Sequence, residues 1–145
     1  MIDTVLNMLQ ENDLCVLCTE SQGMPHCSLM TYLLGPEGNS LFLVTSVNSR
    51  KYNNLMENKN VSVLIDSRQN LEAGLIHPIK SVTFDGEFSE VDQTQLEAIR
   101  TEFLAQHSEL EEIFVRDDCK IFNVRLKSYL LLDGPVQVYQ GTLKI

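Results

Sequence analysis

Residues 41–65, LFLVTSVNSRKYNNLMENKNVSVLI, read as a strand, a polar turn, a short helix and a second strand. At the centre lies Thr45-Ser46-Val47-Asn48-Ser49-Arg50-Lys51, in which hydroxyls and two adjacent cations sit between the end of the strand and the start of the helix. This junction suits a phosphate. The first turn of a helix has unpaired N–H groups and the positive end of the helix dipole, and Arg50 and Lys51 add side-chain charge at the same place. Ser49 can cap the helix or donate its hydroxyl to an anion. Arg offers a planar fork to two phosphate oxygens, and Lys a movable point charge.

Working outward, the 145 residues, 43% of them hydrophobic, fit one domain with one core over residues 1–145. A net charge of −9 weighs against a nucleic-acid partner, whose affinity comes largely from Lys and Arg. From Met1 to Ser49 there is no Lys or Arg at all, so the pair at 50 and 51 is the first positive charge along the chain. No apolar run approaches the length needed to cross a bilayer, and the N-terminus lacks a basic start and a cleavage site. A soluble, cytoplasmic protein is expected. Four cysteines without framework spacing suit a reducing compartment and are expected to act as small core hydrophobes.

The rest of the chain supplies a β body. Ile2, Val5, Leu6 and Leu9 recur at helical spacing over residues 2–12. Strands are expected at 14–19 and 26–34, separated by a Ser-Gln-Gly-Met-Pro turn, and at 41–45 after Gly35-Pro36-Glu37-Gly38-Asn39; together they suggest an antiparallel meander. Residues 61–65 read as a strand buried on both faces, and 66–78 as a loop. Over 81–91, Val82, Phe84, Gly86 and Phe88 alternate with polar residues, Gly86 marking a bend or a close approach. Asp92 with Gln95 suggests a capping box before a helix to about Gln106, and a short helix follows Ser108. Strands at 119–132 and 136–143 complete six or seven strands with three or four helices. An antiparallel split β-barrel with helices over its ends is the economical arrangement, because closure removes exposed edges.

Other constellations carry less. Cys15 and Cys18 form C-x-x-C near His26 and Cys27, but Val16 and Leu17 continue a strand, so the two sulfurs fall on opposite faces and no metal site is expected. His26, His77 and His107 are isolated, and no H-E-x-x-H, G-x-S-x-G or Walker pattern occurs. The adjacent pairs Glu111-Glu112 and Asp117-Asp118 read as solvated surface. Without a strong acid, base or nucleophile, any chemistry falls to a bound cofactor.

The run from Ser28 to Ser62, with Val-Thr-Ser, Ser-Arg-Lys, a helix and Asn-Lys-Asn-Val-Ser-Val, resembles the FMN-binding split barrel of the pyridoxamine 5′-phosphate oxidase family. The Asp-Gly-Glu-Phe-Ser strand at 85–89 extends the resemblance. It implies an FMN-binding flavoprotein, a homodimer with two FMN sites at the subunit interface, and flavin-dependent oxidoreductase chemistry on a small molecule. By position, it implies that Arg50 and Lys51 hold the phosphate, with Thr45, Ser46 and Ser49 nearby. It further implies that the backbone of Met30, Thr31 and Tyr32 lies along the isoalloxazine and that Lys80 or Ser81 reaches the cofactor.

Two departures bear on activity. Leu29 and Leu34 stand where the full-length oxidases bring an Arg and a Lys to the flavin, and the chain ends at Ile145 without their basic C-terminal segment. Both weigh against pyridoxamine phosphate oxidation. The alternatives are a flavin carrier or sensor without turnover, a barrel that binds deazaflavin F420 or haem, and a barrel without a cofactor that acts as an interaction domain.

Overall fold

Tyr32 alone separates two strands that lie at opposite ends of the sheet, and this forces the shape of the molecule. The computed structural model describes residues 1–68 and 79–143. Its elements are α1 (Ile2–Glu11), β1 (Leu14–Ser21), β2 (Met24–Thr31), β3 (Leu33–Leu34), β4 (Ser40–Ser46), α2 (Arg50–Glu57), β5 (Asn60–Asp66), β6 (Lys80–Ser89), α3 (Leu96–Gln106), α4 (Glu111–Phe114), β7 (Cys119–Asp133) and β8 (Gln137–Thr142). The strand order is β2-β1-β5-β6-β7-β4-β3, with β8 beside the second half of β7. A chain advances at most about 3.6 Å per residue, so the edges carrying β2 and β3 must meet. The sheet therefore curls into an antiparallel barrel split at that seam.

The strand pattern explains the curl. In β1, Cys15, Leu17 and Thr19 turn inward, and in β5 so do Val61, Val63 and Ile65. Phe84, Phe122, Leu43 and Leu126 fill the middle, each fully buried. In β6 the register shifts between Asp85 and Gly86, which bends the strand. A Cβ at Gly86 would meet Val124 Cγ1 at 2.9 Å, so glycine is required by the close approach rather than by its dihedrals. A second cluster, Leu33, Val44, Ile99, Phe103, Phe114 and Ile121, forms where α3 and α4 cover the outer face of β4 and β7.

Several expectations need correction. The first three strands are not a meander: β1 and β2 form a hairpin, but β4 lies across the barrel beside β7. The expected strand at 26–34 breaks at Tyr32, where the chain crosses the seam. β5 is buried on one face only, because Ser62 and Leu64 face outward and are half-buried. Asp92 caps a 3-10 turn by accepting the Thr94 N–H at 3.0 Å, ahead of α3, in place of a capping box with Gln95. Of the loop expected at 66–78, residues 69–78, including His77, lie outside the described residues.

Candidate functional site

The turn between β4 and α2 is a polar frame with its positive charge left over. Ser49 caps α2, its Oγ accepting the Tyr52 N–H at 3.2 Å and lying 3.0 Å from Thr45 Oγ1, which is buried. Ser46 Oγ accepts the Asn48 N–H at 3.0 Å and donates to Asp118, whose main-chain oxygen takes the Val47 N–H at 2.9 Å. Arg116 holds the same carboxylate from the other side, Nε to Oδ1 at 3.0 Å. Bonds from Arg116, then from Ser46 and Asn48, hold the Asp118 carboxyl well below the usual carboxylate range. Asp118 is thus a strut of the turn and not idle surface, a role that a pair of adjacent acids 70 residues downstream did not announce.

What remains unmatched is cationic. The N–H groups of Arg50 and Lys51 open α2 and have no intrahelical partner. Among the described residues neither side chain has an ion-pair partner. Lys51 is half-buried, and that burial lowers its pKa, as expected for an ammonium shielded from water without a counter-ion. The next cation on the barrel face, Lys120, opposite Thr45 in register, is already taken by Glu90 at 2.7 Å. A dianionic group at the head of α2 would meet two N–H donors and two uncommitted charges.

The residues expected along a ring system divide. Leu33 pairs with Phe42, so the residues just before it lie on the side toward the end of β4, and the seam brings 30–32 toward the turn. Tyr32 is 2% exposed; its N–H donates to the Asp13 carbonyl at 2.9 Å and its hydroxyl to the Leu9 carbonyl at 2.8 Å. It is a core residue with no free backbone donor. Bonds in an antiparallel ladder alternate, so Met30, opposite Cys15, also spends its N–H on β1, whereas Leu29 and Thr31 point theirs away from it along the open edge. Lys80 and Ser81 begin β6 opposite Asp133 and Leu132 of β7, whereas Thr45 and Ser46 pair with Lys120 and Cys119, about 40 Å further along that strand. Within one protomer they do not join the turn.

Beside this edge the outer face of β1, β2 and β5 carries an apolar patch near the start of β1. Leu14 and Leu29 are 40% and 72% exposed, and with Val16, Leu64 and Arg68 they line a cavity of about 410 Å³.

A family model described as pyridoxamine 5′-phosphate oxidase matches residues 1–129. The chain belongs to the pyridoxamine 5′-phosphate oxidase family. Among solved structures it is similar to a haem-binding protein from Mycobacterium smegmatis, with 20% identity and a TM-score of 0.79 over 94% of this chain and 55% of the other. An FAD-binding protein from Mesorhizobium loti shares 18% identity at a TM-score of 0.73, over 90% of this chain and 93% of the other. The haem storage protein HutZ of Vibrio cholerae shares 21% identity at a TM-score of 0.66, over 97% and 94%. At these identities the likeness is one of fold. The chain spans 55% of the length of the Mycobacterium smegmatis protein. No curated protein matches. In the described residues no helix is long and apolar enough to cross a membrane.

Proposed function

We propose that this family member binds FMN, with the phosphate on the α2 turn, and works as a homodimeric flavin-dependent oxidoreductase on a small molecule. The observation that carries this reading is the pair of uncommitted cations at the head of α2, one of them partly stripped of water, inside an otherwise satisfied polar frame. Arg50 and Lys51 would hold the phosphate, Ser49 and Thr45 would keep the helix start in place, and Asp118 would hold the turn through Ser46 and Asn48. The free N–H of Thr31 on the seam would orient the polar edge of the ring. A bound flavin would supply two-electron redox chemistry. A second copy seated on the Leu14–Leu29 face would shield that seam from water.

The resemblance to haem-binding proteins supports a second reading in which haem takes the same seam. The visible spectrum of the purified protein, before and after adding FMN, with any released chromophore identified by mass, separates the two. A flavin band with FMN released supports the first reading and a Soret band the second. A colourless protein that takes up neither overturns both. Anaerobic bleaching of bound flavin by NADH or NADPH would mark an oxidoreductase; a flavin that no donor reduces would mark a carrier or sensor.

A further inference from the structure

The hairpin of β1 and β2 turns through Gln22 and Gly23, both at positive φ, as a two-residue turn of this kind requires. The turn sets Cys18 directly opposite Cys27, with the sulfurs 3.3 Å apart on the outer face. The bond from the Tyr32 N–H to the Asp13 carbonyl fixes the ladder's alternation: 13/32, 15/30 and 17/28 are hydrogen-bonded pairs, and 18/27 is not. Residues in such a pair stand about 4.5 Å apart at Cα, within the span that a disulfide bridges. Cys27 is exposed and Cys18 half-buried, whereas Cys15 is 2% exposed and faces the core.

We propose that Cys18 and Cys27 form a reversible dithiol/disulfide site oxidised by hydrogen peroxide. Cys27, open to solvent, attacks the peroxide as its thiolate; the O–O bond breaks, sulfur is oxidised to a sulfenic acid, and peroxide oxygen leaves as water. The Cys18 sulfur then attacks that sulfur, the S–O bond breaks, and a second water leaves with the Cys18 proton. In sum, two thiols and one peroxide give one disulfide and two waters. Burial, then the contact with Cys27, pushes the Cys18 thiol up to about 11, so Cys18 is a poor candidate for the first attack. Neither step depends on a bound flavin. The product would fasten the seam strand β2 to β1.

The test treats the purified protein with a small molar excess of peroxide, quenches it, alkylates free thiols under denaturing conditions and cleaves after Glu. Trypsin does not serve here, because Cys15, Cys18 and Cys27 all precede the first Lys or Arg. The expected result is loss of two of the four thiols, a disulfide joining peptides 12–20 and 21–37, and recovery of all four thiols with dithiothreitol. Cys15→Ser should behave like the native chain, which assigns the link to Cys18, and Cys27→Ser should form no internal disulfide. Four free thiols after peroxide, a link that disappears in Cys15→Ser, or Cys27 found as sulfinic acid or bonded to a second chain would each overturn the proposal.

Discussion

The α2 turn and the outer face of the β1–β2 hairpin are both open to solvent, and they leave opposite things unmatched. At the turn, hydroxyls, amide and carboxylate satisfy one another, and the surplus is two cations and two helix N–H groups. On the hairpin the ladder consumes every second backbone group, and the surplus is apolar side chains with a row of edge N–H groups. One surplus suits a phosphate, the other a flat ring edge or a second protein surface. FMN asks for the first two within one molecule. What a surface can bind is read from what its own neighbours fail to satisfy.

Substitutions that remove one surplus should leave the other intact. Replacing both Arg50 and Lys51 by Ala should weaken FMN binding by about 10²–10³-fold in a titration, from two lost charge-assisted contacts, with the melting temperature and oligomeric state unchanged. On the other region, Leu29→Asp should raise the dissociation constant of the proposed dimer about 100-fold by sedimentation; in a monomer so exposed a residue would cost under about 0.5 kcal/mol. A Leu29→Asp protein that dimerises like the native one would remove that face from the interface.

Asp118→Ala tests the frame and not the charge. With the strut gone, Ser46 and Asn48 lose their common partner, and FMN affinity should fall roughly tenfold although no cation has changed. The smallest effect is in pH. Burial lowers Lys51 in the folded chain, so the unfolded chain binds more protons over that range. The ligand-free protein should therefore gain slightly in stability as pH rises through the lowered value, while FMN affinity falls a few-fold over the same range. Lys51→Arg keeps its charge and should flatten both profiles.

The turn was legible because it is local: strand end, hydroxyls, cap and cations are contiguous from Thr45 to Lys51, and the structure keeps them together. Asp118 was not, since nothing in Asp117-Asp118 marks one acid as reaching back to Ser46 and the other as facing water. The barrel was legible from alternation, but not its strand order. β4 reads as the neighbour of β2 along the chain, yet it lies between β7 and β3, where Val44 joins Leu33, Ile99 and Phe103 in the cluster under α3. The Cys18–Cys27 pairing was available in principle, because a two-residue turn at Gln22-Gly23 pairs residues equidistant from it. The expectation of four core thiols came from cysteine's general behaviour, and it holds for Cys15 but fails for exposed Cys27.

The central claim is that the head of α2 is a phosphate anchor, and the most direct test compares FMN with riboflavin, which shares the ring and lacks the phosphate. The native protein should bind FMN about 100-fold or more tighter than riboflavin, and the Arg50→Ala/Lys51→Ala variant should bind both alike. Equal affinity of the native protein for the two flavins would contradict the account.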